Sequence, residues 1–334
     1  MPSNCLHLMC RMRPGVGVRI SGQKDKAGQV PVLDWKGELL IDAAEGAWWI
    51  ENVQIGSFLT TQRQGAAVSK TAHLTLKNVD FRTRSHSGGA IHASRGGKVS
   101  LRGRIRINEQ LHNKAENESF SGIIAEDHGL VMFAETQGAS LDMGNGSLSA
   151  SYYGVIRLGC ETAKITSWGE QSNNLAINNG GRIDLHGTTT TLCARQKANT
   201  PIGLEHDGHI LAEGAHIIIQ GDNENAIVIQ KSSTLTCNDI ELRGTFKTAI
   251  SAMSGSMFVG SFLGDIPGLS ASTSATINIE EMKKGGKVVG TNAPLVISDP
   301  FTISHLRPLY DGNGDGFEFR EGEPSGACHI GYVL

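Results

Sequence analysis

The stretch LAINNGGRIDLHGTTTTL, Leu175–Leu192, alternates apolar and polar residues, breaks at a glycine pair, alternates again and then repeats threonine. Read alone, it fits a hairpin. Aligned on Gly181, it places apolar residues six and four positions before that glycine (Leu175, Ile177) and two and four after it (Ile183, Leu185). The same four slots recur around Gly97 (Ile91, Ala93, Val99, Leu101), Gly129 (Ile123, Ala125, Val131, Phe133) and Gly154 (Leu148, Ala150, Ile156, Leu158). They recur again around Gly208 (Ile202, Leu204, Ile210, Ala212) and Ser233 (Ile227, Ile229, Leu235, Cys237). Weaker copies centre on Gly46, Ala72 and Gly255, the last with Ala249, Met257 and Val259. A third apolar pair follows most of them, as in Val53/Ile55, Val79/Phe81, Ile105/Ile107, Ile217/Ile219 and Ile240/Leu242.

Alternation with period two marks strands buried on one face. The anchors lie 22 to 32 residues apart, mostly 25 to 27. A fixed period in this range signals a solenoid or a propeller, and a propeller blade needs about 40 residues and four strands. Three short strands in about 25 residues fit one coil of a parallel β-helix, each coil stacked about 4.8 Å above the last. The predicted fold is therefore all-β, a single-stranded parallel β-helix (solenoid) with about 25-residue coils and terminal caps. Nine anchored coils make a rod of about 40 Å. No coil buries its inward residues alone, and stacking supplies the continuous apolar column. The anchor glycine serves either a positive φ or a close approach of backbones. Asn174 and Asn225 each precede a first strand and are read either as a stacked amide ladder or as ordinary turn residues. The 32-residue spacing contains NEQLHNKAENESF, Asn108–Phe120, a polar insertion expected to protrude as a loop.

These bounds divide the chain into an N-terminal cap or attachment segment (1–37), the β-helix (38–264) and C-terminal strands with a cap (265–334). The first segment holds one coil-like run, VGVRISG (Val16–Gly22). In the last, SATINIEEM and GGKVVG are candidate further strands.

Composition narrows the classes. Thirty basic residues against 33 acidic ones give a net charge of −3 without a basic run, so no nucleic-acid footprint is present. No stretch approaches the roughly 18 apolar residues of a membrane span. The N-terminus lacks the apolar core of a signal peptide. Six cysteines without CxxC spacing read as reduced thiols in a chain made in a cytoplasm.

Candidate functional residues fall in three groups. Beside the anchors runs a polar stripe that includes Glu126, His128, Tyr152 and Tyr153; hydroxyl hydrogen bonds and ring stacking there suit a carbohydrate, and a solvated face is the alternative. For catalysis, Glu205 and Asp207 point the same way about 7 Å apart, within the range of glycosidase carboxylates. His186, Glu213 and Asp239 form a second group on successive coils. Both sets fit an ordinary soluble surface as well, and no GxSxG, HExxH or P-loop motif is present. In DGNGDG, Asp311, Asn313 and Asp315 take the first, third and fifth places of a calcium loop with Gly316 at the sixth. The twelfth place is Gly322 rather than glutamate, so calcium competes with a plain glycine-rich turn.

Stacked coils of this length over roughly residues 38–264 resemble the right-handed parallel β-helix of bacteriophage tailspikes, tail fibres and related virion proteins, an architecture shared with pectate lyases and other polysaccharide enzymes, and the resemblance implies the same right-handed coil here. The resemblance is one of architecture and carries over no catalytic residue. It implies a virion structural protein, synthesised in the host cytoplasm. That protein would be a homotrimer that meets other tail or baseplate proteins and recognises a host cell-surface glycan without inserting into a membrane. The alternative on the same fold is a polysaccharide hydrolase or lyase. Fold alone does not choose between them.

Overall fold

The structure, a computed structural model, describes residues 17–283 except 34–38, 42–46, 57–65, 71, 83–88, 110–121, 170–171 and 273. It also describes Gly286 and the short strands Leu309–Tyr310, Phe317–Glu318 and Ile330–Gly331. The described chain is all-β, with parallel strands stacked as a solenoid of about 25-residue coils.

Each coil contributes one strand to each of three parallel ladders. The first runs through Ala66–Val68, Ile91–Ala93, Ile123–Ala125, Leu148–Ala150, Leu175–Ile177 and Ile202–Leu204. The second runs through Lys98–Arg102, Leu130–Phe133, Val155–Arg157 and Arg182–Asp184. The third runs through Arg104–Ile107, Ser140–Met143 and Thr162–Ser167. The register matches the sequence slots: Ile123 pairs with Ile91 and Leu148, and Val131 with Val99 and Ile156. The inward residues of all three ladders form one column, with Leu74, Leu101, Ile156, Ile183, Ile210 and Phe262 fully buried.

Two runs offered at the chain ends pair in parallel: Val18–Ser21, within VGVRISG, pairs with Trp48–Glu51, and Thr276–Lys283, beginning within SATINIEEM, continues the ladders together with Leu269–Ala271. Two other features depart from the sequence reading. The coil anchored on Gly255 turns one residue short, so Ile250 and Ala252, not Ala249, pair with Ile227 and Ile229. Asn174 and Asn225 do not stack, because Leu175 pairs with Ile202 and only Ile202 pairs with Ile227, which puts them two coils apart. Asn174 instead donates its amide to the Ile165 and Cys193 carbonyls, tying two coils of the third ladder. The amide pair of this fold is Asn52–Asn78, 3.1 Å apart at the turn between the second and third strands. The insertion beyond Glu109 and the DGNGDG segment, with Asp311, Asn313 and Asp315, lie outside the described residues.

Among the described residues the parallel stack ends in a reversal. Ile330–Gly331 pairs antiparallel with Thr276–Ile277, covering the edge of the last second-ladder strand. Exposed edges invite association, and an antiparallel cover blunts one.

At the other end, Arg19 reaches the Glu51 carboxylate at 2.6 Å, and the Trp49 ring lies between the guanidinium groups of Arg19 and Arg102 at 5.5 and 5.6 Å. The Arg19 hydrogen bond holds the Glu51 carboxyl down to about 2. A depressed folded-state pKa contributes stability that is fully present above the unfolded value, roughly 4.3, and is lost as pH falls toward 2. Thermal unfolding of Glu51→Gln should therefore lie below wild type at pH 6, and the gap should close by pH 2. A gap independent of pH would assign the loss to packing instead.

Cys160, Cys193 and Cys237 are buried free thiols. Burial pushes Cys160 and Cys237 up to about 12, which removes them as nucleophiles near neutral pH.

Candidate functional site

In six coils the first and second strands meet in a tight turn whose two tip residues both adopt positive φ. The pairs are Arg95–Gly96, Asp127–His128, Tyr152–Tyr153, Asn179–Gly180, His206–Asp207 and Lys231–Ser232, with φ between 46° and 77°. The amide of the following anchor closes most of these turns, as Gly129 donates to the Glu126 carbonyl and Gly154 to that of Ser151, both at 2.8 Å, whereas Gly208 donates to the Ser233 hydroxyl at 3.1 Å. The anchor glycines themselves are not in the left-handed region. Their role is close approach: a Cβ at Gly129, Gly154 or Gly181 would run into the carbonyl of Ala93, Ala125 or Ala150 on the coil beneath.

The tips also bond coil to coil. His128 donates its amide to the Tyr152 carbonyl at 3.2 Å, Tyr153 to Asn179 at 3.3 Å and Gly180 to His206 at 3.1 Å. A rigid ridge results, one pair of tip side chains per coil.

The ridge brings together the four residues of the predicted carbohydrate stripe. Tyr152 and Tyr153 are 58% and 63% exposed, the most exposed large apolar side chains among the described residues. The His128 and Tyr153 rings stack, centroids 5.5 Å apart at 26°. Tyr153 lies over Gly180, where any side chain would collide with its ring. Glu126 accepts from or pairs with His92 at 2.9 Å on the preceding coil, and Asp127 faces His128 at 3.4 Å. The surface thus offers an aromatic platform with a carboxylate on the coil below and the Asn178–Asn179 amides above, the mixture that a sugar uses through its apolar face and its hydroxyls.

Glu205 and Asp207 sit on the same ridge, in the turn two coils beyond the tyrosines, with both side chains exposed. Asp207 faces His209 at 3.5 Å, His209 contacts the Thr234 hydroxyl at 2.6 Å, and His206 contacts Lys231. His186 and Glu213 occupy a different edge, between the second and third strands, 4.0 Å apart and exposed by 48% and 75%. Asp239, the third of that group, faces Lys283 at 3.7 Å. Glu205, Asp207 and Glu213 are exposed and Asp239 is half-buried. Among the described residues no group of three or more histidine, cysteine or acidic side chains is placed to hold a metal ion.

His92 and Asn179 went unread in the sequence because each gains its role from a neighbouring coil. The Asn52–Asn78 pair carried a legible signal: both lie six residues past their anchors, where Gly103, Gly187 and Gly214 also stand, all with positive φ.

Comparison with protein-family models, with curated proteins and with solved structures finds no match.

Proposed function

We propose that this protein is a non-catalytic, glycan-recognising β-solenoid that serves as a tail-fibre or tailspike subunit of a phage virion. The observation that carries recognition is the Tyr152–Tyr153 tip, two consecutive exposed tyrosines at positive φ. Non-glycine residues there cost on the order of 1–3 kcal/mol each, and such outliers cluster at ligand sites. Neighbouring coils meet the same geometry with Asn179–Gly180 or Asp127–His128, residue types that tolerate it better. Two tyrosines are a poor choice for the turn and a good one for stacking on a sugar ring. The virion assignment rests on the resemblance of the architecture to phage tail proteins, which adds a homotrimer and neighbouring tail or baseplate proteins to the reading.

Retention of the purified chain on immobilised bacterial capsular and lipopolysaccharide glycans tests recognition, with light scattering on the same sample. The expected result is retention by at least one surface glycan, no release of reducing or unsaturated ends, and a trimeric mass. Release of such ends would replace the binding reading with the hydrolase or lyase reading, with Glu205 and Asp207 the first residues to substitute. A monomer that binds no glycan would overturn the proposal.

A further inference from the structure

A groove runs along the outer face of the third ladder, away from the tyrosine ridge. Its floor is one residue per coil, stacked in register: Gln54, Asp80, Arg106, Asp142, Lys164 and Thr191. A parallel row holds Arg104, Ser140, Thr162 and Thr189. Beside Gln54 and Asp80 the groove opens to about 740 Å³ and is also bordered by Lys24, Asn52, Asn78 and Arg82. Beside Ser140, Thr162 and Thr191 a second space of about 400 Å³ follows, and Arg104 borders both.

The two halves differ in chemistry. Lys24, Arg82, Arg104 and Arg106 collect four positive charges at one end, against Asp80 and the adjacent Glu109, in a chain whose net charge is −3. Arg82 lies 3.5 Å from Asp80, while Arg104 and Arg106 share Glu109 at 3.3 and 3.0 Å, which fixes their heads at the groove wall. Burial pushes the Asp80 carboxyl above the usual carboxylate range, against the pull of Arg82 and Arg106. The other half is mainly hydroxyls.

We infer that this groove binds an acidic oligosaccharide lengthwise, its carboxylates or sulfates on Arg104 and Arg106 and its hydroxyls along Ser140, Thr162, Thr189 and Thr191. Three properties select that ligand. The floor from Gln54 to Thr191 spans five coil steps, about 24 Å, which suits a chain rather than a compact anion. Guanidinium groups take planar anions through paired hydrogen bonds. No aromatic side chain among the described residues lines the groove for base stacking, which disfavours a single-stranded nucleic acid. The site is independent of the ridge: either can fail without the other.

Calorimetry on the full chain decides the matter, with hexagalacturonate as the acidic probe, maltohexaose as the neutral one and a short thymidine oligonucleotide as the competing polyanion. Binding of hexagalacturonate alone is expected. Arg104→Gln/Arg106→Gln should weaken it at least tenfold, since each hydrogen bond to a charged group is worth about that factor. Tyr152→Ala/Tyr153→Ala should leave it unchanged. Should the arginine variant unfold, Lys24→Gln, an exposed change at the groove rim, must weaken binding in its place. Equal affinity for the neutral or nucleic-acid probe, no binding of the acidic probe, or wild-type binding by the folded variants would each overturn the inference.

Discussion

Gly154→Ala should lower the unfolding free energy by about 3 kcal/mol, while Gly187→Ala, an identical change one coil on, should cost about 1 kcal/mol. The two glycines answer different constraints. Gly154 has ordinary φ, and its α-carbon faces the Ala125 carbonyl of the coil beneath, with the carbon of that carbonyl and the Glu126 amide just behind. An added methyl meets backbone that three ladders hold in place, so relief requires two coils to part. Gly187 has φ +64°, and an added Cβ there meets nothing within 4 Å; its cost is the left-handed conformation alone. The anchor slot is not closed to side chains everywhere, since Ala72, Ser233 and Ala275 occupy it in other coils. The penalty at Gly154 is therefore a matter of local spacing. Denaturant titration of both variants measures the contrast, and equal losses would show that conformation rather than contact governs the anchor. In a solenoid each coil touches only its neighbours, so the Gly154 variant should also separate unfolding into two transitions.

The second large effect has opposite signs in two assays. Replacing Tyr152–Tyr153 by Asn–Gly, the pair that the next coil uses, should raise stability by about 1 kcal/mol, because asparagine and glycine tolerate positive φ better than tyrosine, and should weaken glycan retention tenfold or more. The lost stacking of His128 on Tyr153 is too small to reverse the first sign. A variant that is both less stable and still retained would mean that the rings support the turn rather than the ligand. Tyr152→Ala/Tyr153→Ala separates the contributions: it keeps the strained φ, removes the rings, and should lose retention without the gain in stability.

The legibility of the fold followed the geometry of the coil. The first and second strands keep fixed offsets from the anchor because a two-residue tip joins them, so Leu175, Ile177, Ile183 and Leu185 could be placed from the sequence. The third strand keeps none. Its inward residue lies seven positions past the anchor at Val53, eight at Ile105, nine at Thr190 and twelve at Leu141. The connecting turn varies in length, so a column that is straight in space is scattered in the sequence, and the groove of Arg104, Lys164 and Thr191 could not be seen. The ridge was visible for the converse reason: Glu126, His128, Tyr152 and Tyr153 sit within three residues of their anchors. What the alignment could not supply was that the tips carry the positive φ and the anchors the close contact.

The arrangement of hydrogen bonds in the three ladders has a mechanical consequence. They point along the rod while the chain runs around it. A load drawn along the axis, such as drag on a ligand held at the tyrosine ridge, is shared by all three ladders at once. A load applied through the chain itself peels one coil at a time and meets only a few bonds in succession. The same molecule is thus stiff as a strut and compliant as a thread, and its direction of attachment decides which behaviour it shows.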